Sequence, residues 1–562
     1  MPLTHPHTLT LPIAGRALCA WRWVALFAMA TAAAGCATLP ANTGRTASQA
    51  YPSPEQSPLG QLTAQRRAQA AARSDSGFRL LENVQEALAA RLALADAAQK
   101  TLDLQYYAIH ADASTELILQ HLRDAARRGV RVRLLLDDFN AVGKDAQVLR
   151  LAFEPNVQVP LFNPLPRSRS SLLGRLVTSL KDVDRIQKRM HNKLFIADNA
   201  MGISGGRNLG DAYFGGPVDS NFVDLDTLST GRIVRDMSAS FDRYWNDDLA
   251  FPVDKLVSAQ ELEQMRALPR EPADDASRQA NDAKAPPAVT NASAVLPDVT
   301  QAAVANAQPR AYDLRTVPLV WSPSLLLADK PGKIGPDDDE ADAGDTVVDG
   351  LLNLMGQARQ DVLVVSPYFV PGPEMMKLFA RMHAKGVRIR VLTNSLASND
   401  APAAHAGYAR YREQLVALGV ELYEMRAEQG GSAAGLGSAS SFTSGGGGSK
   451  SGASHASLHS KAVIIDNRMA VIGSMNLDLR SQRKNSEVAL VIRSAPLAQM
   501  ATRQIETTLS RGAYRVTTED GTLVWRAPPG AAFKDARSEP EATTRQRLLV
   551  RLIAPFAPDE ML

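Results

Sequence analysis

The sequence predicts an α/β fold that is built twice along the chain, and three observations support this prediction. The motif His-x-Lys-x4-Asp occurs at His191–Asp198 and returns at His459–Asp466. Each copy follows a region in which strand-like and helix-like apolar patterns alternate, as in a sheet with right-handed crossover helices. Corresponding segments of the two regions are separated by a nearly constant number of residues. An internal duplication explains this regularity better than chance similarity does.

The first region alternates between helix-like and strand-like segments. Apolar residues at three-to-four spacing over 80–92 predict a helix, and the alternation in Leu102–Tyr106 predicts a strand. Apolar residues within Leu117–Ala125 share one helical face, and Gly129 is placed to end that helix. Val130–Asp138 is then a mostly apolar strand that finishes on two carboxylates.

The second region repeats this plan. Val362–Val365 is strand-like, and apolar residues within Met375–Met382 predict a helix that ends at Gly386. Val387–Leu392 is the next strand and corresponds to the strand that begins at Val130. Both regions therefore place one strand-helix-strand unit ahead of the repeated motif.

Composition shifts along the chain predict the domain boundaries. Apolar periodicity marks the two domains, and Pro-, Gly-, Ser- and Ala-rich stretches mark the connections between them. The predicted segments are a signal sequence (1–35), a flexible tether (36–77), a first domain (78–268), a disordered linker (269–310), a second domain (311–505) that contains a Gly/Ser-rich insertion (427–454), and a C-terminal hairpin with a basic amphipathic segment (506–562).

The overall composition excludes several classes of protein. With 562 residues, 45% of them hydrophobic and 22% charged, the chain has an ordinary globular composition. A net charge of +3 is too small to demand a polyanionic partner, so we expect no nucleic acid. Both cysteines, Cys19 and Cys36, lie near the N-terminus, which leaves no disulfide framework or thiolate metal site for the body.

The N-terminus predicts export and membrane attachment. Arg16 and Arg22 flank a short apolar region that ends in Ala33-Ala34-Gly35-Cys36, which resembles the bacterial lipobox. Cys36 would then carry the lipid anchor of a lipoprotein in the bacterial cell envelope, with the body facing the periplasm. An uncleaved signal anchor and an ordinary cleaved signal are the alternatives, because the apolar run is short for a membrane span.

The residue types in the motif suit phosphodiester chemistry. A site that cleaves a phosphodiester without a metal needs a neutral nucleophile, a proton donor and cations for the phosphate oxygens. His191 and His459 suit the first two tasks, because the pKa of histidine lies near neutrality. Lys193 and Lys461 supply the positive charge. Further predicted phosphate-binding residues, in the turns that follow the motifs, are Asn208, Asn476 and Ser474. We expect no metal ion and no cofactor.

Together these residues resemble the phospholipase D superfamily. Arg189–Lys193, Gly205–Phe214 and His459–Lys461 are similar, more narrowly, to bacterial cardiolipin synthases of the C type. The resemblance extends from about residue 78 to the C-terminus. It implies the phospholipase D fold, which has two duplicated α/β/α sandwich domains related by a pseudo-twofold axis and an active site at their interface.

The resemblance also implies roles for individual residues. His191 would attack the lipid phosphorus to form a phosphohistidine, and His459 would act as general acid and then as general base. The family places a carboxylate of each half behind the histidine of the other half, which pairs Glu487 with His191 and Asp224 with His459. Each carboxylate would fix the imidazole tautomer and favour the imidazolium form. The remaining residues of the predicted catalytic set, which we expect to support the motif loops, are Asp198 and Asp466.

The implied reaction is the transfer of a phosphatidyl group to phosphatidylglycerol, which yields cardiolipin. The donor would be phosphatidylethanolamine or a second phosphatidylglycerol, and the enzyme would work at a membrane surface. A phospholipase D hydrolase is the main alternative, because water and an alcohol attack the same intermediate. A nuclease of the superfamily and a non-catalytic envelope scaffold are further alternatives; the small net charge counts against the first, and the intact double motif counts against the second.

Overall fold

The computed structural model describes the chain over the ranges 39–43, 45–140, 143–165, 183–215, 220–257, 312–335, 345–429 and 454–557, and at residue 559. The predicted signal (1–35), the anchor Cys36 and the predicted linker (269–310) lie outside these ranges, as does most of the predicted insertion at 427–454. Within them, no helix is both long enough and apolar enough to cross a membrane.

The first half contains a large mixed sheet with helices on its faces. The strands of the first half are β1 (Ser76–Leu81), β2 (Thr101–Tyr106), β3 (Arg131–Asp137), β4 (Val157–Gln158), β5 (Pro160–Phe162), β6 (Arg189–Met190), β7 (Leu194–Ala197), β8 (Met201–Gly205), β9 (Ser220–Val223), β10 (Asp226–Gly231) and β11 (Ala250–Pro252). Its helices are α1 (Pro58–Gln69), α2 (Val84–Ala97), α3 (Ala113–Arg127), α4 (Val183–Gln187), α5 (Asp211–Phe214), α6 (Arg232–Trp245) and α7 (Val253–Leu256). Short 3₁₀ helices occupy Pro54–Gln56 and Gly143–Phe153.

The second half repeats this architecture. Its strands are β12 (Val320–Trp321), β13 (Ser324–Ala328), β14 (Asp361–Val365), β15 (Arg388–Asn394), β16 (Glu421–Met425), β17 (Glu428–Gln429), β18 (Ser454–Leu458), β19 (Ala462–Ile465), β20 (Met469–Gly473), β21 (Asn485–Ser486), β22 (Val488–Ile492), β23 (Ala513–Glu519) and β24 (Thr522–Arg526). Its helices are α8 (Val347–Met355), α9 (Gly372–Ala384), α10 (Pro402–Ala409), α11 (Arg412–Ala417), α12 (Leu479–Arg483), α13 (Ala495–Arg511) and α14 (Thr544–Ile553), with 3₁₀ helices at Pro331–Ile334 and Ala554–Phe556.

The two sheets have matching strand orders when the second is read in reverse. The first runs β11-β5-β3-β2-β7-β8-β10-β1-β12, with β4 beside β3, and the second runs β13-β22-β20-β19-β14-β15-β16-β23-β24. In each sheet a parallel pair, β2 with β3 or β14 with β15, lies beside an antiparallel hairpin, β7–β8 or β19–β20. Each hairpin directly follows its motif histidine and lysine. The predicted α/β fold with two duplicated halves is therefore confirmed.

The halves share one hydrophobic core. A continuous cluster of buried residues includes Phe241 of α6 in the first half and Ile505 of α13 in the second, both fully buried. Two short parallel pairings also cross between the halves, β6 with β21 and β9 with β18. Because parallel pairing aligns residue after residue along both strands, these pairings fix which side chains of the two halves meet.

The prediction of a flexible tether over 36–77 is wrong for much of that segment. Helix α1 begins after Ser57, whose side chain accepts a hydrogen bond from the Gly60 backbone, and it buries Leu59 and Thr63 against the body. Arg66 on the same helix donates from Nη1 to the Leu314 carbonyl at 2.9 Å. The segment lacks clear apolar periodicity because polar contacts, rather than a wide apolar face, hold it in place.

Three other boundaries differ from the sequence prediction. The helix expected over 80–92 begins only at Val84, because Asn83 caps it and the preceding residues pair as strand β1 with β10. The boundary predicted after residue 505 falls within α13, and the hairpin β23–β24 extends the second sheet through β16. The chain also returns to the first sheet after the predicted linker, since β12 pairs with β1.

Candidate active site

The pairing of β6 with β21 joins His191 to Glu487. Met190 is aligned with Ser486, so the next residues on the two strands, His191 and Glu487, lie side by side. The backbone amide of His191 donates to the Ser486 carbonyl at 2.9 Å, and its Nδ1 lies 2.9 Å from Oε2 of Glu487. Asp137 at the end of β3 supports this arrangement, because it accepts a hydrogen bond from the Met190 amide at 2.9 Å.

The pairing of β9 with β18 joins His459 of the second motif to Asp224. Leu458 is aligned with Val223, which places His459 beside Asp224. The backbone amides of His459 and Ser460 both donate to the Val223 carbonyl, and Nδ1 of His459 lies 2.7 Å from Oδ2 of Asp224. Each histidine thus meets a carboxylate of the other half through Nδ1, which leaves Nε2 as the nitrogen available for chemistry.

The motif aspartates lie in the turns of the following hairpins. Asp198 and Asn199 both have positive φ, as do Asp466 and Asn467, which is the backbone of a type I′ turn. The carboxylate of Asp198 accepts hydrogen bonds from the backbone amides of residues 99–101, and Asp466 accepts equivalent bonds from residues 359–361. The structure thus places both aspartates in a supporting position behind the motif.

The motif lysines are buried and bond to the backbone of their own histidines. Lys193 donates from Nζ to the His191 carbonyl at 2.7 Å, and Lys461 donates to the His459 carbonyl. Burial and the positive charge of Lys461 lower the pKa of Lys193 to about 7, against the opposing pull of Glu487. Burial likewise lowers the pKa of Lys461 to about 8, although Asp224 opposes it. A bound phosphate would favour the charged form of both lysines.

Burial governs the protonation of the two motif histidines. Burial lowers the pKa of His191 to about 4, and the attraction of Glu487 only partly opposes this shift. Burial and the positive charge of Lys461 lower the pKa of His459 to about 3, against the attraction of Asp224. Each carboxylate raises the pKa of its histidine, in the direction that the resemblance implies, but desolvation outweighs this attraction. Both imidazoles are neutral at pH 7.

The two carboxylates remain ionised. Burial alone would raise the pKa of Asp224, but His459, Lys461 and Arg207 outweigh it and hold the value at about 2. Burial also opposes ionisation of Glu487, and His191 and Lys193 lower its pKa nonetheless. A neutral imidazole that faces a carboxylate through Nδ1 carries its proton on that nitrogen and keeps the lone pair of Nε2 free.

The predicted phosphate-binding residues occupy other positions. Asn208 donates from Nδ2 to the Tyr213 hydroxyl at 3.0 Å and accepts from the Ala108 amide. Ser474 donates to Oε2 of Glu487 at 2.5 Å, so it holds the carboxylate rather than a substrate. Asn476 is buried, and its Oδ1 has no hydrogen-bond partner. Of the three, only Asn476 keeps an unsatisfied polar atom for a ligand or water.

Sequence reasoning missed the aromatic surroundings of the histidines. Tyr107 packs edge-on against His191, with ring centroids 5.2 Å apart. Tyr213 and Phe222 pack against His459 at 5.3 and 4.9 Å. Tyr107 directly follows strand β2, and this position at the end of an apolar strand is the one sequence feature that could have pointed to it as a site residue. These rings contribute to the burial that keeps both imidazoles neutral.

A buried ionic network supports Asp224. Arg207, in the turn after β8, donates from Nη2 to the Asp224 backbone carbonyl at 2.6 Å and pairs with Asp226 at 3.2 Å. Arg91 of α2 pairs with the same Asp226 at 2.9 Å. The equivalent of Arg207 in the second half is Met475, so this network breaks the twofold symmetry. Within the described ranges, no three histidine, cysteine, aspartate or glutamate side chains cluster closely enough to hold a metal ion.

A comparison with protein families matches both halves. The family described as cardiolipin synthase, PLD-like domain, matches residues 92–245 and 351–509, which include both motifs. Each matched range contains one histidine-lysine pair together with the carboxylate that the opposite histidine contacts.

Individual relatives extend over most of the chain. Cardiolipin synthase C of Escherichia coli (strain K12) is 35% identical over 479 residues, which cover 84% of this chain and 93% of that protein. An uncharacterised protein of Helicobacter pylori (strain ATCC 700392 / 26695) is 30% identical over 515 residues, 92% of this chain and 95% of that one. Among solved structures, phosphatidylserine synthase of Haemophilus influenzae Rd KW20 has a similar fold, with a TM-score of 0.53 at 14% identity, and the match covers 89% of this chain and all of that one.

Proposed function

Because this chain belongs to the cardiolipin synthase, PLD-like domain family, we propose that it is a phosphatidyltransferase that makes cardiolipin. It would transfer a phosphatidyl group to phosphatidylglycerol by way of a phosphohistidine. The observation that carries the proposal is the pair of neutral histidines, His191 and His459, each held through Nδ1 by a carboxylate of the opposite half. The similarity to cardiolipin synthase C supports the choice of a lipid substrate.

In the first step, Nε2 of His191 attacks the phosphorus of the donor lipid. A neutral imidazole suits this step, because the phosphodiester anion would repel a negatively charged nucleophile. Glu487 stabilises the positive charge that develops on the ring as the bond forms. Lys193 and Lys461 stabilise the negative charge on the phosphate oxygens. The donor's alcohol leaves when the phosphorus–oxygen bond breaks.

His459 handles the proton in both steps. The anionic phosphate would raise the pKa of His459 on binding, so that the ring picks up a proton and gives it to the departing alcohol. In the second step the neutral ring removes the proton from a hydroxyl of phosphatidylglycerol, which attacks the phosphohistidine and releases cardiolipin. Asp224 stabilises the imidazolium before the first of these events and after the second.

The proposed setting is a membrane of the bacterial cell envelope. Both substrates are bilayer lipids, with phosphatidylethanolamine or a second phosphatidylglycerol as the donor. The N-terminal signal supports export, with attachment through a lipid on Cys36. Such an anchor would keep the enzyme at the surface where donor and acceptor are concentrated.

The identity of the product tests the proposal. The full-length protein is incubated with vesicles of phosphatidylethanolamine and phosphatidylglycerol, each labelled in its acyl chains with a different isotope, and the products are identified by mass. We expect cardiolipin that carries both labels or phosphatidylglycerol label alone, which also identifies the donor. His191→Ala and His459→Ala should each reduce its formation at least about a hundredfold.

Two outcomes would count against the proposal. Phosphatidic acid as the sole product would mean that water accepts the phosphatidyl group and that the enzyme is a hydrolase. Equal activity in the wild type and in His191→Ala would mean that the motif does not carry the chemistry. Arg381→Gln, a change on α9 away from both motifs, is the matched control and should leave the product unchanged.

A further inference from the structure

The C-terminal helix α14 exposes an unusual concentration of apolar surface. Its ten residues, Thr544–Ile553, include none that is buried. The large hydrophobic side chains that are exposed within the described ranges are Leu325, Leu548, Leu549 and Leu552, so three of the four belong to this helix. The last of these is 61% exposed. A contiguous group of exposed apolar side chains commonly marks an interaction site.

The exposed leucines form one face of the helix. Leu548, Leu549 and Leu552, here called the leucine face, fall within about 100° of one another because residues advance by about 100° along an α-helix. The other side is attached to the body. Ile553 packs with Val370 and Ala557, and Arg547 donates from Nη2 to the Glu539 carbonyl at 2.8 Å. The leucines of this face keep 44–61% of their surface exposed within the described ranges.

The helix is positively charged as well as apolar. Arg545 falls on the same side as the leucine face, and Arg551 is exposed next to it. Thr544–Ile553 contains no acidic residue. The helix starts with a capping box between Thr543 and Gln546, which satisfies backbone groups at its N-terminus. Apolar and basic side chains that share one exposed face complement an anionic lipid surface better than an ordinary protein surface.

The helix also lies close to the candidate active site along the fold. It packs against α10, which begins two residues after Asp400. Asp400 accepts a hydrogen bond from the Tyr368 hydroxyl at 2.8 Å, and its charge acts on both Lys461 and Tyr213. The C-terminal helix thus contacts a helix that begins two residues from Asp400, whose charge acts on residues of the candidate site.

We propose that the leucine face docks on the surface of an anionic phospholipid bilayer and orients the candidate active site towards its lipid substrates. The proposal rests on the proposed function for its purpose, since only a lipid substrate requires this orientation. The helix is too short to span a bilayer, so it would lie in the interface with the leucines among the acyl chains and Arg545 and Arg551 among the headgroups. This contact would act in addition to any anchor at the N-terminus.

Hydrogen exchange tests the docking without requiring turnover. The full-length protein is exchanged alone, with vesicles of phosphatidylcholine, and with vesicles of equal parts phosphatidylcholine and phosphatidylglycerol. We expect the amides of 544–553 to exchange at least about tenfold more slowly with the anionic vesicles only. Leu548→Gln with Leu552→Gln should abolish this protection, because burial of each leucine contributes more than a tenfold change in affinity. Leu325→Gln, which removes another exposed leucine from the edge strand β13, should leave this protection unchanged.

Other exchange results would overturn the docking. Identical exchange of 544–553 with and without anionic vesicles would show that the helix does not touch the bilayer. Protection that appears without vesicles and grows with protein concentration would assign the leucine face to a second copy of the chain. Protection by both kinds of vesicle to the same extent would remove the role of Arg545 and Arg551.

Turnover tests the orienting role separately. The double leucine variant should lose at least about tenfold of its activity on long-chain lipids in vesicles. It should keep its activity on short-chain lipids dispersed as monomers, because these reach the site without docking. Equal loss on both substrates would overturn the orienting role. If the wild type is inactive on both substrates, the proposed function fails, while the exchange result still decides the docking.

Discussion

At the scale of single residues, burial decides the protonation of the motif. Glu487 and Asp224 each attract a proton to the histidine that they contact, yet the pKa values of His191 and His459 fall to about 4 and 3. Desolvation disfavours the charged imidazole more strongly than one carboxylate favours it. Both imidazoles are therefore neutral near pH 7, which suits the proposed nucleophilic attack, and the proposed general acid would gain its proton when a phosphate binds.

The lysines predict the dependence of activity on pH. Lys193 and Lys461 have pKa values lowered to about 7 and about 8, so they lose their protons as the pH rises through this range. Charged lysines would stabilise the phosphate, and His459 would take up a proton on binding, so kcat/KM should fall as the pH rises from about 5.5 and should fall more steeply above pH about 7. Measuring kcat/KM on lipid vesicles across this pH range, at constant ionic strength, tests the prediction.

A lysine variant separates this explanation from a general effect of pH. Lys193→Arg keeps its charge at all these pH values, so the fall should move to higher pH even if the bulkier side chain lowers the rate throughout. A wild-type kcat/KM that stays constant to pH 9 would contradict the assignment. So would a fall that is unchanged in Lys193→Arg.

The contact between Gly206 and Asp224 predicts unequal effects of one substitution at two equivalent positions. A Cβ atom at Gly206 would lie 2.2 Å from Oδ1 of Asp224, so Gly206→Ala must displace the carboxylate that holds His459. We expect kcat to fall at least about a hundredfold. Ser474→Ala, at the equivalent position, removes one hydrogen bond to Glu487 and should cost roughly fivefold.

The comparison depends on folded protein. Circular dichroism and thermal unfolding should show both alanine variants folded under the assay conditions. Equal kcat values for Gly206→Ala and Ser474→Ala would show that the position of Asp224 does not limit the reaction.

At the scale of elements, two pairs of short strands build the site. The pairings β6–β21 and β9–β18 are only two to four residues long, yet each delivers a histidine and its carboxylate side by side. The longer hairpins β7–β8 and β19–β20 then fix the motif from behind, through the turn aspartates. Each half-site is thus completed by a strand of the other half.

The turn aspartates predict a difference in stability between the two halves. Asp198 is fully buried and accepts hydrogen bonds from three backbone amides, whereas Asp466 makes the equivalent bonds while half-buried. Asp198→Ala leaves buried amides unsatisfied and should lower the free energy of unfolding by about 2–4 kcal/mol. Asp466→Ala should lower it by about 1–2 kcal/mol, because water can replace the lost bonds.

Urea unfolding followed by circular dichroism measures both values. The kcat of the protein that remains folded should change little in either variant, because neither aspartate contacts the histidines. A larger loss of stability in Asp466→Ala than in Asp198→Ala would contradict this account, as would a loss of kcat as large as that of His191→Ala.

The sequence predicted the repeated elements but not the short strands between the halves. Val130–Leu136 and Val387–Leu392 are mostly apolar, so their pattern identifies buried strands. Arg189–Met190 and Asn485–Ser486 are too short and too polar to show any periodicity. The positions of Asp224 and Glu487 came from the resemblance to a family. No local pattern predicts a contact between residues almost three hundred positions apart.

At the scale of the whole molecule, the two halves form one structural unit. The shared core contains Phe241 and Ile505 from opposite halves, and β12 carries the chain back to the first sheet before the second begins. A site made from two half-sites requires this, because a small shift between the halves would separate both histidines from their carboxylates. The buried network around Arg207 is confined to the first half, so the site is duplicated in plan but unequal in detail.

The most direct test of the central claim is to trap the proposed intermediate and locate it. Phosphatidyl-p-nitrophenol labelled in its acyl chains is mixed with His459→Ala, because nitrophenolate leaves without a general acid. The account predicts a burst of about one nitrophenolate per site and a label on the peptide that contains His191. His191→Ala should show neither. A label on His459 in His191→Ala would reverse the assignment, and a burst without any labelled histidine would contradict covalent transfer.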